Sequence, residues 1–421
     1  MEPNVILFGD FTVEETKAVL GKPKVQAPEP KKPFSWSNLS KPQTPPQQTA
    51  PPKATTATQP LEAAFEQALL QLDLHECARD LQRRGFINQG NTCFQNVTFQ
   101  ALLACAPFRN LLCTLSSTVD LPPTSPPAPP LAGWKQLLLL LRELEEPTLA
   151  QQMKQSNKKT AITLSPHFIR LFQTAHGQQE DALEFLEFLL DHLHTEYEQS
   201  PCTFPLSRGH SQLAAAAADD GWAEIKKNGK ASVVHHNIVE NESPVTYLFK
   251  GTLRSEIQAG RKLGKSTIEP FHCLHLNMSK SYATTTLMQM IHDTMADEVL
   301  EQHMIKRTTF ETLPVVLSLH VKRFTYDPVQ GPLKINTFVS YPLELELPPS
   351  LFSPALEKTK AKYKLFSVIS HHGQYAVGGH YTAVCCDAKD QWTLYDDDNV
   401  IHVTKQAALE ENAYLLFYLR V

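Results

Sequence analysis

The chain has eight cysteines but no C-x-x-C pair, so the usual spacing of a zinc knuckle or a dithiol redox centre is missing. No amino-terminal stretch combines a charged start, an apolar middle and a small-residue cleavage site; the expected state of the cysteines is therefore the reduced one of the cytoplasm or nucleus. Long apolar runs are missing too. Leu137 to Leu141 is followed at once by Arg142-Glu143 and is far too short to cross a bilayer, so no membrane association is expected. No strong basic cluster is present and the formal net charge is -5, which gives no reason to expect nucleic-acid binding. Apolar residues are scarce in residues 1–60. Segments such as Lys41-Pro42-Gln43-Thr44-Pro45-Pro46 offer little to offset the entropy of ordering, which predicts a disordered tail.

The tail has one apolar island, Val5-Ile6-Leu7-Phe8-Gly9-Asp10-Phe11, followed by Glu14-Glu15. Two aromatics around a glycine in such a setting read either as a short linear motif over 5–15 that docks in a partner's groove or as a fortuitous patch. From Leu61 the texture changes, with Phe65, Leu69, Leu72 and Leu81 among helix formers, and predicts a linking helix over 61–80 before a folded domain over 81–421. Helices are expected over Phe94–Cys105, Trp134–Leu144 and Gln179–Tyr197, the last with Leu183, Leu186, Leu190 and Leu193 at helical spacing. About 200–242 is low in apolar content and reads as a flexible insertion. Beyond it the pattern turns to strands: Val245–Phe249, Phe271–Leu276, Val315–Val321, Leu365–Ile369, Tyr381–Cys385 and Ala413–Tyr418. Helices first and strands afterwards imply an α+β domain rather than a repeating β-α-β sheet.

One stretch organises the chemistry: Gly85-Phe86-Ile87-Asn88-Gln89-Gly90-Asn91-Thr92-Cys93-Phe94-Gln95-Asn96. A glycine-flanked turn delivers Cys93 to a helix start, where free N–H groups and the macrodipole favour thiolate and predict a lowered pKa. Gly378-Gly379-His380-Tyr381 offers a general base at a strand mouth, with glycines that let the backbone approach a substrate chain. The next strand, Trp392 to Asp398, ends on three acids. Paired as a hairpin, it sets a carboxylate against the histidine, fixing its tautomer and stabilising its imidazolium. Asn88 is a candidate oxyanion donor together with the Cys93 N–H; read without that role, it is a turn former.

The Cys93 box, Gly177 to Leu186, Leu319-His320-Val321-Lys322-Arg323-Phe324, the Gly-Gly-His-Tyr box and the Tyr-Asp-Asp-Asp turn occur in the order found in the ubiquitin-specific peptidases, which the chain resembles over about 80–421. The resemblance implies a papain-like thiol hydrolase with helical thumb and β-rich palm and fingers, a deubiquitinase cleaving after the carboxy-terminal Gly-Gly of ubiquitin, with no cofactor. It makes Cys93 the nucleophile, His380 the base, Asp396 the orienting acid and Asn88 the oxyanion donor, with Asp397 sharing or replacing the role of Asp396. Gln179, Asp181, Gly378, Gly379 and Tyr381 fall at ubiquitin-tail positions, where an acid suits an arginine-rich partner.

The chain departs from the family pattern in two places. About 249–271 carries no cysteine where many members hold two zinc-binding pairs, so no metal is expected. Phe94 stands where tyrosine is usual, with little effect expected. The chain is most similar to the branch whose animal members bind stress-granule scaffolds. In that branch a Phe-Gly-Asp-Phe motif, matched here by Phe8, Gly9, Asp10 and Phe11, is recognised by the NTF2-like domain of the Ras-GAP SH3-domain-binding protein. The alternative is a non-catalytic ubiquitin-binding regulator of ribonucleoprotein granule assembly that acts through this motif.

Overall fold

A computed structural model describes residues 60–74, 81–119, 131–145, 161–172, 180–205, 222–224, 233–236, 242–259, 262–278, 285–300, 304–327, 331–356, 359–373 and 378–421. The Phe8–Phe11 motif and Gln179 lie outside the described residues.

The helical part comes first: α1 (Leu61–Leu70), α2 (Cys93–Ala104), α3 (Ala106–Thr118), α4 (Ala132–Glu145), α5 (Pro166–Leu171) and α6 (Ala182–Glu198). In α2 every residue from Cys93 to Leu103 is buried, which makes it the central helix of the domain. Leu-rich α4 and α6 pack beside one another. Glu196 of α6 accepts the Gly133 N–H at the start of α4 at 2.8 Å, which satisfies one of that helix's open donors. Asp181 starts α6 as a side-chain cap, accepting the Leu183 N–H at 2.7 Å.

Helix α1 falls in the segment expected to be a linker, yet it belongs to the core. Leu61, Ala64, Phe65, Ala68 and Leu69 are buried, and the Phe65 ring meets Trp134 and Tyr197 edge-on at 5.0 and 5.3 Å. The thumb core therefore reaches back to residue 61. Phe65→Ala is expected to lower unfolding free energy by about 3–5 kcal/mol, the cost of emptying a buried aromatic site. A urea midpoint within error of wild type would contradict that.

Two sheets follow. The fingers sheet runs in the order β1 (Trp222–Glu224), β2 (Val233–His236), β4 (Lys262–Phe271), β3 (Gly251–Ala259), β8 (Met304–Thr312) and β7 (Glu298–Val299). Its first two strands belong to the segment expected to be a flexible insertion, and β2 pairs parallel with β4. Arg254 on β3 grips Glu311 on β8 with two hydrogen bonds of 2.8 Å, a planar fork-to-carboxylate match that ties these strands together. The chain also forms α7 (Pro244–Phe249), β5 (Cys273–Asn277), β6 (Thr285–Thr286) and α8 (Leu287–Thr294). Val245–Phe249, a strand by its composition, is helical instead. Ser243 and Thr246 form a capping box and Pro244 takes the first turn, a local start signal that outweighs the β-branched and aromatic content.

The palm sheet is completed by β9 (Val316–Lys322), β14 (Ala361–His372), β15 (His380–Cys386), β16 (Trp392–Asp396), β17 (Asn399–Val403) and β18 (Ala413–Arg420), in the order β17-β16-β15-β14-β18-β9-β5. Two small ladders, β10 (Phe324–Asp327) with β11 (Gly331–Lys334) and β6 with β12 (Val339–Ser340), flank it; β13 (Glu344–Leu347) pairs with β14, and α9 (Lys405–Glu410) precedes β18. The central strands of the palm are buried on both faces. One face packs on α2, and the other closes a second core with Leu317, Leu319, Val368 and Leu416. The expected α+β, thumb-and-palm architecture is what the chain adopts.

Candidate active site

Asn88 builds the turn before Cys93. Its Oδ1 accepts the N–H groups of Gly90 and Thr92 at 3.1 and 3.0 Å, folding the chain so that Cys93 opens α2. Gly90 and Asn91 take left-handed backbone angles, φ 95° and 60°, as the turn requires. The Cys93 side of α2 then faces the first residues of β15, and the N–H of Tyr381 hydrogen-bonds the Cys93 sulfur. This bond brings the two ends of the domain to one point, because Tyr381 directly follows His380.

The hairpin expected between β15 and β16 is present, with Ala383 opposite Tyr395 and Cys386 opposite Trp392. It sets Asp396 beside the histidine: His380 Nε2 and Asp396 Oδ1 are 2.5 Å apart. Asp397 stands elsewhere. Its Oδ2 is 4.0 Å from His380 Nδ1, while its carboxylate accepts the side-chain amides of Asn88 at 2.9 Å and Asn96 at 2.8 Å. The turn that holds both acids is locked from below. Phe86 donates to the Asp397 carbonyl at 2.9 Å, and a Cβ on Gly85 would come within 2.3 Å of that same oxygen, so this crossing of backbones requires glycine.

Gly378 and Gly379 precede the histidine with φ 81° and 142°. At Gly379 there is also no room for a side chain, since a Cβ would lie 2.4 Å from His371 Nε2. Lys334 on β11 holds the end of β14, donating to the carbonyls of His371 and Gly373 at 2.6 and 3.0 Å. Alongside runs a wall of rings. His371 meets Tyr381 at 4.7 Å and Phe324 at 5.2 Å, and Tyr414 meets His320 at 4.8 Å. Asp181 closes this wall, its Oδ2 accepting Tyr414 OH at 2.5 Å and Tyr381 OH at 3.3 Å.

Among the candidate residues, Cys93, His380, Asp396, Asp397 and Asn88 therefore meet in one cluster, and Asp181, Gly378, Gly379 and Tyr381 flank it. Asn96, Lys334 and Tyr414 also belong to the site, though no motif singles them out. For Asn96 a signal exists in the sequence: a polar side chain three residues after Cys93, on the same face of the helix. His380, Asp396 and Asp397 also offer ligand atoms within 4.8 Å of one another, the one such group among the described residues. A histidine nitrogen and its nearest carboxylate at 2.5 Å are already the hydrogen-bonded pair that a base and its orienting acid need.

The electrostatics depart from the expectation of a lowered cysteine pKa. Cys93 is 2% exposed, and burial pushes its thiol up; the Tyr381 N–H pulls the other way, and the Asp397 charge adds to the rise. Desolvating a thiolate outweighs what a helix terminus returns. Alkylation of Cys93 by iodoacetamide in the free chain, followed by mass spectrometry of its peptide, is therefore expected to climb with pH through a midpoint above the ordinary cysteine value of ~8.5. A midpoint near neutrality would refute this.

Comparison with known proteins places the chain in a family. The family described as ubiquitin carboxyl-terminal hydrolase matches residues 84–418. The probable ubiquitin carboxyl-terminal hydrolase 3 of Schizosaccharomyces pombe is 31% identical over 82% of this chain and 75% of its own. Ubiquitin carboxyl-terminal hydrolase 10 of Rattus norvegicus is 30% identical over 81% of this chain, and the 10-B form of Xenopus laevis is 30% identical over 86%. The chain spans about half the length of these last two, 48% and 50%. Among solved structures, the SAGA Ubp8/Sgf11/Sus1/Sgf73 DUB module bound to ubiquitin aldehyde shares the fold, with a TM-score of 0.61 at 22% identity over 84% of this chain and 72% of that one.

Proposed function

The chain belongs to the ubiquitin carboxyl-terminal hydrolase family, and from that premise we propose that it is a cysteine-type deubiquitinase, hydrolysing the bond after the carboxy-terminal glycine of ubiquitin in ubiquitin–protein conjugates. The observation that carries the reading is the convergence at Cys93: a histidine paired to a carboxylate at 2.5 Å, on the strand whose next N–H touches the sulfur.

Asp396 occupies His380 Nε2, which leaves Nδ1 as the nitrogen that takes the thiol proton. The sulfur attacks the ubiquitin carbonyl, and the imidazolium then protonates the departing amine. Water completes the cycle by hydrolysing the acyl-enzyme, with His380 now the base. The raised thiol pKa favours the protonated form of Cys93 before attack. Asn88 supports an oxyanion role in a specific way: an amide nitrogen carries two hydrogens, and with one given to Asp397 the other is left for the developing oxyanion beside the Cys93 N–H. Asp397 is then the residue that aims Asn88, and Asp396 the one that orients the base. Gln179, Asp181, the two glycines and Tyr381 are assigned to the groove for the ubiquitin tail. A ubiquitin carrying a carboxy-terminal electrophile tests the function directly. An adduct on the full chain, absent from Cys93→Ser, is the expected outcome; no adduct, or equal adducts, would overturn it.

The tail adds a second contact. Phe8-Gly9-Asp10-Phe11 is assigned to docking on the NTF2-like domain of a stress-granule scaffold, which would place the enzyme in the cytoplasm. The support is the motif itself within a proline-rich, apolar-poor segment, and the same assignment places the chain with the branch that lacks fingertip zinc cysteines. A peptide of residues 1–20 is expected to bind that domain in a calorimetric titration, with Phe8→Ala and Phe11→Ala each weakening it at least tenfold. Unchanged binding of both variants would refute the assignment.

A further inference from the structure

His380 is the first residue of β15, so its place depends on the end of the strand beside it. In the register of the palm sheet His380 lies opposite His372 and Tyr381 opposite His371, the last two residues of β14. On the other side of β14 the pairing with β18 reaches Ser370, opposite Ala413, and goes no further. The two residues that set where His380 and the Tyr381 N–H stand therefore run past one of the neighbours that hold the rest of β14. Backbones approach closely at this point. A Cβ on Gly379 would lie 2.6 Å from the His372 carbonyl oxygen, and one on Gly373 would lie 3.2 Å from the Gly379 Cα.

Lys334 supplies a hold at this end. Its Nζ donates to the carbonyls of His371 at 2.6 Å and Gly373 at 3.0 Å, so one ammonium grips the chain on either side of His372. Bonds from a charged donor are roughly twice as strong as neutral ones. The lysine is itself fixed: it is the last residue of β11, in register with Phe324 on β10, and the Phe324 ring meets that of His371 at 5.2 Å. Next to it, Ile335 donates its N–H to the Arg323 carbonyl at 2.7 Å, and the buried Arg323 guanidinium donates to the carbonyls of Ile335 and Thr337 at 3.0 and 2.9 Å. Burial, and after it the Arg323 charge, push the Lys334 pKa down. His371 is pushed down to about 4, by burial first and by the Lys334 charge next, which leaves the ring beside Gly379 neutral.

We propose that Lys334 is a positioning residue for proton transfer: by holding the end of β14 it fixes the backbone from which His380 reaches the reacting atoms. The inference rests on the hydrolase reading. Asp396 takes one nitrogen of the ring, but where the other nitrogen stands depends on the backbone of residue 380, which is set through its register partner His372. A displacement of about 1 Å in such a group can cost on the order of 100-fold in rate. The step that depends on it most is protonation of the departing lysine amine, since a thiolate leaves without a proton.

The test compares two leaving groups on the full chain: ubiquitin joined to a lysine peptide through an isopeptide bond, and a ubiquitin thioester. Lys334→Met keeps most of the side-chain length and removes the charged donor. It is expected to lower kcat/KM on the isopeptide about tenfold or more and on the thioester no more than about threefold. Lys334→Arg keeps a cationic donor and is expected to stay within about fivefold of wild type on both substrates. Ubiquitin affinity, titrated calorimetrically into Cys93→Ser chains with and without Lys334→Met, is expected to agree within about threefold, which places the loss in the chemical step. Thermal midpoints report folding, and Lys334→Gln takes the place of Lys334→Met if that chain does not fold. A fall of less than about threefold on the isopeptide, equal falls on the two substrates, or an arginine variant as slow as the methionine one overturns the inference. A wild-type chain that cleaves neither substrate and forms no Cys93 adduct refutes the hydrolase reading and the positioning role with it. A wild type that cleaves both, matched by Lys334→Met, overturns the positioning role alone.

Discussion

Cys93→Ser is expected to lower turnover of a ubiquitin fluorogenic amide by about 10⁴-fold or more, because the variant loses the atom placed to form the acyl intermediate while keeping the rest of the site. The fold gives no reason for any other loss. Serine fits the space of a residue that is 2% exposed at the start of α2, and the turn built by Asn88 does not use the sulfur. Affinity for ubiquitin should therefore stay within a few fold of wild type. A serine variant that retained a tenth of the activity would remove Cys93 from the mechanism.

The second large effect separates the two neighbouring acids. Asp396→Asn is expected to cut kcat by roughly 10²- to 10³-fold, since the carboxylate that fixes the His380 tautomer and balances its imidazolium is replaced by a neutral group. That carboxylate is partly exposed, which argues against a larger loss. Asp397→Asn should cost less than about tenfold, because its contacts are with Asn88 and Asn96 and one acceptor oxygen survives the change. It should also leave a mark that Asp396→Asn does not. The Asp397 charge helps to hold the Cys93 thiol up, so removing it is expected to move the alkylation midpoint to lower pH. Equal losses of kcat in the two variants, or a Cys93 midpoint that does not move in Asp397→Asn, would contradict this division of labour.

Much of the site is legible in the amino-acid order, for a physical reason in each case. A nucleophile on a helix start, a base after two glycines and an acid at a hairpin end are local arrangements, written in contiguous residues and their turns. The hairpin from Tyr381 to Asp396 follows from strand pattern alone, and so does the broad order of helices before strands. At Val245–Phe249 two local rules compete, and composition points the wrong way: Ser243-Pro244 with Thr246 starts a helix in a segment whose residues favour a strand.

Other features belong to the tertiary structure. Nothing in the Cys93 box says that burial would outweigh the helix terminus, because desolvation depends on what the rest of the fold, β15 included, lays over the sulfur. The choice between Asp396 and Asp397 is likewise invisible in two identical adjacent side chains. It is made by the left-handed backbone of Asp397, φ 51°, and by the passage of Gly85 beneath it, which turn one carboxylate to the base and the other to the asparagines. The inclusion of α1 in the thumb is decided the same way, by the fit of Phe65 between Trp134 and Tyr197. By itself, the sequence determined which chemistry the chain carries and in which local frames. Packing decided the direction in which the nucleophile's pKa moves, the partner of each acid and the seat of α1 in the core, because each depends on groups brought close from distant parts of the chain.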